Sequence, residues 1–293
     1  MMVIDIMVPY WGRVDWLGEL IESVLAQDCD QWRLVVVDDC YPGDAARKLV
    51  EGLDDERVSY VRNEKNLGLR GNFQRCVELS TAEYLVMPGS DDRFLPHYVS
   101  AMLDAVDRHD ADIIQPAVRV IDADGHRVEG MTDKIKNRIR PRQLTNGTVM
   151  SGQEVAASLM HGNWMYWPSL LLRRSTIVQY PFRDFTIMLD LALTIDVVVH
   201  GGSIAFVDEE CFEYRRSNYS VSGSTAIDGQ RFEDERRYFQ LAHNLFKERG
   251  WTKAMRAARW HVTSRIHAAT LLPGTVLRRD GQSCKFLLNH LWM

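Results

Sequence analysis

Residues 83–94 read EYLVMPGSDDRF: a short apolar run enters a Pro-Gly-Ser turn and emerges on two adjacent aspartates, Asp91 and Asp92. The run has the composition of a buried strand, and the turn residues end it. Neighbouring carboxylates repel one another, and two settings tolerate them. A solvated turn screens them at little cost. A hard divalent cation instead takes oxygen ligands and draws such acids together. These residues alone fit both settings, so the rest of the chain has to decide.

Working outward toward the N-terminus, the same pattern recurs. VIDIMVP (3–9), RLVVVDD (33–39) and RVSYVRN (57–63) are apolar runs that end on polar or charged residues. Between them, Val14, Leu17, Ile21, Val24 and Leu25 mark one helical face by their spacing of three and four, and AARKLVEGL (45–53) and GNFQRCVEL (71–79) continue the helical pattern. Strand-helix repeats of this length need crossover connections, which predicts an α/β fold with a mostly parallel sheet and helices on both faces. In such sheets ligands sit beyond the carboxyl ends of the strands. Four segments therefore meet on one edge: PYWGR (9–13), DDCYPGD (38–44), RNEKNLGLRGN (62–72) and PGSDD (88–92). That edge collects Asp38, Asp39, Asp91 and Asp92 with Arg13, Arg62, Lys65 and Arg70. Mixed acids and bases there suit a phosphate-bearing ligand held partly through a metal. No GxGxxG or Walker-type loop is present, which argues against a dinucleotide oxidoreductase.

Toward the C-terminus, a helix is predicted over 96–109, and DIIQPAVRVIDADGHRVEG (112–130) reads as a hairpin around an Asp-Gly turn. The basic, aperiodic stretch 133–147 reads as a loop. Helices near 153–160 and 189–199, strands at 203–207 and 211–216, and a helical pattern from about 226 complete the reading. This divides the chain into a catalytic domain, 1–225, with halves at 1–112 and 113–225, and a helical extension, 226–293.

With 293 residues, 46% hydrophobic and 26% charged, the chain has room for one large core, and its net charge of −5 offers no general attraction to nucleic acid. Five scattered cysteines without a CxxC spacing predict a reduced, cytoplasmic protein lacking structural zinc. The opening MMVIDIMVPYW has no basic n-region, so no signal peptide is expected.

Taken together, VPYWGRVDWLGELIESVLAQD, LVVVDD, the run from Arg62 to Asp92, WPSLLLRRS, MLDLALTI followed by Gly201-Gly202, and YRRSNYSVS (214–222) resemble the GT-A fold glycosyltransferases of family 2 over roughly residues 3–223. The resemblance implies a nucleoside-diphosphate sugar on the strand-end edge, its diphosphate bridged by Mn²⁺ or Mg²⁺. It places Asp91 as the metal ligand, Asp92 behind it or on the ribose side, and Ser90 beside the donor. Gly89 stands where the family's leading aspartate would be, which bears on metal affinity. Asp38 or Asp39 would accept the imide N–H of uracil or thymine, with Pro9, Tyr10 and Trp11 flanking the base. Asn66, Gly68 and Arg70 match a segment that lines the nucleotide, and Arg13 joins the donor edge.

The same resemblance assigns Asp190 as the base that deprotonates an acceptor hydroxyl in an inverting transfer, with Asp184 and Asp196 as alternatives. Arg215 and Arg216 would neutralise the diphosphate, and Ser217 occupies the place of a metal-binding histidine. Trp164, Tyr166 and Trp167 lie on the acceptor side, where aromatic faces suit sugar rings; core packing is the competing account of each ring. The implied activity is sugar transfer to a glycan or lipid-linked acceptor. A catalytically inactive relative that binds nucleotide or glycan as a scaffold is the rival reading. The tail interleaves Lys247, Arg249, Lys253, Arg256, Arg259 and Arg265 with Trp251, Trp260, Leu271, Leu272, Leu277 and Trp292. Such a segment fits either packing on the catalytic domain or a second subunit, or peripheral contact with an anionic membrane.

Overall fold

The computed structural model describes residues 2–145, 147–216, 230–277 and 281–292. Its N-terminal half alternates as the apolar pattern requires: β1 (Ile4–Tyr10), α1 (Val14–Leu25), β2 (Trp32–Asp38), α2 (Ala45–Glu51), β3 (Val58–Arg62), α3 (Gly68–Leu79) and β4 (Tyr84–Val86). These four strands are parallel, in the order β3-β2-β1-β4. The helix α1 buries Trp16, Leu17, Leu20, Ile21 and Val24 along one stripe. Each such aliphatic side chain contributes about 1.5–3 kcal/mol on burial.

The second half runs β5 (Arg93–Phe94), α4 (Tyr98–Arg108), β6 (Ile113–Ile121), α5 (Met131–Ile139), β7 (Val149–Ser151), α6 (Gly152–His161), a 3-10 turn (Trp167–Ser169), β8 (Leu171–Arg173), α7 (Arg174–Ile177), α8 (Leu189–Val199) and β9 (Ser203–Arg215). The sheet continues β4-β8-β6-β9-β5, with β7 also on β9; β6 and β9 are parallel, while β8, β5 and β7 enter antiparallel. Alternate strand residues feed two cores, one on each face: Met7, Val35 and Leu85 on one side, Ile6, Val36 and Val86 on the other.

Three expectations need correction. The stretch read as a loop contains α5, in which Asp133 and Lys136, with Arg140 just past its end, turn inward at helical spacing; they are charged, and the inward Ile139 makes no apolar period by itself. The two strands expected at 203–207 and 211–216 are one strand, β9, and its register against β6 shifts around Pro116, Ala117 and Val118. Asp208, Glu209 and Glu210 occupy that irregularity and interrupt the apolar run. The return arm of the expected hairpin is reduced to an isolated bridge between Ile121 and Arg127.

The extension is helical over Gln230–Glu248, Thr252–Trp260, Val262–Leu277 and Gly281–Trp292. Phe239, Ala242, Phe246 and Ala257 join the main core, whereas Trp260, Ile266, Leu277 and Trp292 are exposed. No helix among the described residues is long and apolar enough to cross a membrane.

Candidate active site

At the carboxyl end of the parallel strands, Tyr10, Asp38 and Arg62 stand side by side in register. Asp38 is buried and fully engaged: its Oδ1 accepts the Tyr41 N–H at 2.7 Å, and its Oδ2 accepts the Tyr60 hydroxyl and Arg62 Nη1. Asp39 is also buried, and its Oδ1 accepts Asn63 Nδ2 at 2.9 Å and the Leu67 N–H at 2.7 Å. Asn63 also donates to Asn72 Oδ1, and Asn72 in turn donates to the Val37 carbonyl. Asp39 thus pins the loop after β3. Its Oδ2 accepts nothing among the described residues. Tyr60, Asn63 and Asn72, which hold these acids, carry no sequence signal beyond their polarity.

Aromatic rings flank this corner. Tyr41 meets Tyr10 at 5.7 Å and Trp11 at 5.1 Å, both edge to face, and Trp11 is half exposed. Burial, and then the neighbouring Tyr41 and Asp38, push the Tyr10 hydroxyl up to about 12, so it stays protonated and donates to the Gly12 carbonyl at 2.7 Å. Pro9 is partly exposed beside it. Arg13 is exposed, pairs with Asp15 and covers Trp16. Asn66 accepts the Gly68 N–H at 2.8 Å, a turn that Gly68 permits by its φ of +71°. Arg70 is exposed and only loosely paired with Asp184, at 3.6 Å.

The adjacent acids Asp91 and Asp92 sit in different surroundings. Asp92 is buried and structural: its Oδ2 accepts the Gly89 N–H at 2.8 Å and its Oδ1 the Arg215 N–H at 2.9 Å. Asp91 is partly exposed, and among the described residues no other residue donates a hydrogen bond to its carboxylate, which has only its own backbone N–H. Burial raises the values of both carboxyls, Asp92 more strongly because Asp91 lies beside it. A desolvated carboxylate without a protein partner fits a cation ligand, and Asp91 is the residue that would hold it. A Cβ at Gly89 would lie 2.7 Å from Asp91 Oδ1 and 2.8 Å from Asp92 Oδ2, so the two acids close over the place of the family's leading side chain. Asp122, Asp124 and His126 form another group whose ligand atoms lie within 4.8 Å of one another, but Asp122 Oδ1 already accepts the N–H groups of Asp124 and His126 in a surface turn.

Arg215, expected at the diphosphate, is instead an interior clamp. It is 1% exposed, and its side chain donates to the Asp91 carbonyl at 2.6 Å, the Ala123 carbonyl at 2.8 Å and the Glu19 carboxylate. It therefore acts through the position of the Asp91 turn. Arg216 is likewise committed, with two hydrogen bonds to Asp133. Ser217, Asn218 and the small residues through Ser224 lie outside the described residues.

Asp190 sits in the first turn of α8, partly buried, with its Oδ2 accepting Asn163 Nδ2 at 3.1 Å and its Oδ1 accepting the Leu191 N–H at 2.7 Å. Burial raises its value above that of an ordinary aspartate, against the opposing pull of the Leu191 N–H, Lys136 and Asn163. Asp196 is occupied by a double hydrogen bond from Arg183, and Asp184 lies in solvent. Lys136, missed by the sequence reading with the rest of α5, donates to the Met165 carbonyl at 2.6 Å and lies 4.0 Å over the Tyr166 ring. Burial lowers its value to about 8, partly restored by Asp190. The three acceptor-side aromatics are buried. Trp164 donates to Ser158, Tyr166 to Asp133, and Trp167 packs against Phe73 and Phe182. Packing accounts for the Trp167 ring but leaves its buried indole N–H without a partner, while Trp164 and Tyr166 also line a cavity.

The fold, with its sheet edge of acids and aromatics, is that of the GT-A glycosyltransferases. A profile described as glycosyl transferase family 2 matches residues 5–171, over half of the chain, and the chain belongs to that family. A glycosyl transferase named for colanic acid biosynthesis, WcaA of Escherichia coli (strain K12), is 31% identical over 102 residues, which are 34% of this chain and 37% of that protein. One named for teichuronic acid biosynthesis, TuaG of Bacillus subtilis (strain 168), is 22% identical over 76% of this chain and 82% of its own. Among solved structures, S. aureus TarS 1–349 in complex with UDP-GlcNAc superposes with a TM-score of 0.73 at 15% identity, covering 99% of this chain and 80% of that one. Mannosyltransferase PcManGT from Pyrobaculum calidifontis, in complex with GDP-Man and Mn²⁺, gives 0.60 at 16% identity over 99% and 87%.

Proposed function

We propose that the protein is an inverting glycosyltransferase that moves a sugar from a nucleoside-diphosphate donor to an acceptor hydroxyl in glycan or polysaccharide assembly. The observation that carries this reading is Asp190: a carboxyl desolvated at the first turn of α8, oriented by Asn163 and held at a raised value. A base so tuned takes the acceptor proton as the hydroxyl attacks the anomeric carbon, a contribution of about 10²–10⁴ in rate. Asp91 would hold Mn²⁺ or Mg²⁺, which when bound supplies positive charge to the departing diphosphate. Trp11 and Tyr41, backed by the buried Tyr10, offer a wall for the base, and the unpartnered Oδ2 of Asp39 suits the imide N–H of uracil or thymine. The names of the similar proteins, with their polysaccharides and nucleotide sugars, agree with this class of reaction.

A nucleotide- or glycan-binding scaffold without turnover is the second reading, favoured by the closure of Asp91 and Asp92 over Gly89. A thermal-shift screen of nucleotide sugars with and without Mn²⁺, followed by donor-hydrolysis assays on the hits, separates the two. Metal-dependent hydrolysis supports the enzyme. Binding with no hydrolysis and no transfer overturns it. A lipid-linked acceptor would give the exposed Trp260, Ile266 and Leu277 a role at a membrane surface, in a protein acting from the cytoplasmic side.

A further inference from the structure

Between α5 and the β6–β9 ribbon lies a cavity of about 330 Å³, within the range of small-ligand sites. Three of its lining groups have hydrogen-bonding capacity that the fold leaves unused. Gln115 is 3% exposed, and its Oε1 has no partner. A buried amide oxygen without a donor destabilises the fold unless something supplies one. Arg140 stacks its guanidinium 3.8 Å from the Phe206 ring centre, and that guanidinium makes no hydrogen bond among the described residues. Lys136 makes one hydrogen bond, to the Met165 carbonyl, and its ammonium has further N–H groups to offer.

The acids around the cavity do not use up these cations. Asp133 is taken by Arg216 and Tyr166, and Glu210 by Arg119 and Arg127. Asp208 and Glu129 are exposed, whereas Lys136 and Arg140 are drawn inward. Burial pulls the values of both inward cations down, outweighing the acids that act on them from a distance, Asp190 and Asp133 on Lys136 and Asp208 on Arg140; neither cation forms an ion pair among the described residues. The cavity is therefore cationic at its inner wall, with one acceptor oxygen beside it. Lys136 also ties it to the proposed chemistry, because its charge acts on Asp190.

We propose that this cavity seats an anionic, hydroxyl-bearing unit of the acceptor. Arg140 and Lys136 receive its carboxylate or phosphate, and Gln115 accepts one of its hydroxyls. The proposal rests on the glycosyl-transfer reading and refines it by naming the chemical class of the acceptor. Arg140 presents a planar fork that matches either anion, so the structure names the charge and the test names its source.

Ligand-observed NMR titrations of the full chain with methyl β-glucuronide, glycerol 1-phosphate and neutral methyl β-glucoside test the proposal. One anionic probe is expected to bind at least about tenfold more tightly than the glucoside, and whichever does so tells carboxylate from phosphate. Arg140→Gln should abolish that preference, and Arg140→Lys should restore part of it. Equal binding of all three probes, or no binding of any, overturns the proposal, and this ranking needs no variant to fold. So does a folded Arg140→Gln protein that keeps the preference. Uridine diphosphate with Mn²⁺, titrated into the wild-type protein, separates the two readings. Nucleotide binding without anion preference sinks only the acceptor proposal. Anion preference with no binding of any nucleoside diphosphate leaves the cavity an anion site and sinks glycosyl transfer.

Discussion

Along the β1–β4 edge, charged side chains arrive on loops that follow apolar strands; around α5 and β9, charged side chains are themselves the packed face. Asp38 and Asp39 are buried, but each directly follows or closes a continuous apolar run, so their place at the sheet edge can be read from spacing. Asp133, Lys136, Arg140 and Arg215 are drawn inward from segments whose sequence looks solvated. Apolar periodicity reports which faces leave water only when those faces are apolar. Where partners are ionic and distant in sequence, such as Arg216 with Asp133 or Arg215 with Glu19, a single sequence holds no local sign of the contact.

The largest expected effect lies on the acceptor side. Asp190→Asn preserves shape and removes basicity, so turnover should fall by two to four decades while the apparent donor affinity stays near wild type. A loss confined to donor KM would move the role elsewhere. The pH profile sharpens the assignment. A base whose value is raised must lose its proton to act, so kcat/KM should rise with pH through an acid limb lying above the value of an ordinary aspartate. Lys136→Met removes a charge that lowers the value of Asp190, and should shift the limb further upward. An unshifted limb would break the link between α5 and the base.

Next in size is a structural effect on the boundary between the two regions. Arg215→Met leaves Glu19 with only the looser Arg93 contact at 3.5 Å and frees the Asp91 and Ala123 carbonyls from their clamp. Breaking a buried charge contact of this kind costs about 3–5 kcal/mol, somewhat less here because Glu19 is partly exposed. Denaturant unfolding that shows a loss under about 1 kcal/mol would mean that Arg215 is not the clamp described. Tyr166→Phe removes one hydrogen bond to an Asp133 still held by Arg216, and should cost about 1 kcal/mol.

The smallest effect concerns the extension. Replacing exposed Trp260 and Ile266 with serine should leave stability within about 0.5 kcal/mol and weaken any salt-sensitive sedimentation with anionic vesicles. If wild type and variant alike stay in the supernatant, the membrane reading of the tail fails.

These contrasts also explain which parts of the site were legible. The strands β1–β4, the corner formed by Tyr10, Trp11 and Asp38, and the helix bearing Asp190 follow from runs, turns and order. The roles within that frame were harder. Arg215 looks like an exposed phosphate ligand until the register of β9 carries it inward, and Asp92 looks like a twin of Asp91 until its two backbone donors are seen. Tyr60, Asn63 and Asn72 hold the acids in place through contacts across strands, which no spacing rule anticipates.

The central claim is that Asp91, the unpartnered carboxylate at the exit of β4, brings the metal to the nucleotide. Calorimetric titration of uridine diphosphate into wild type and Asp91→Asn, each with and without Mn²⁺, tests it most directly. The account predicts that Mn²⁺ tightens binding to the wild type by about tenfold or more and leaves the variant's affinity unchanged. An Mn²⁺ enhancement of equal size in both proteins would contradict it.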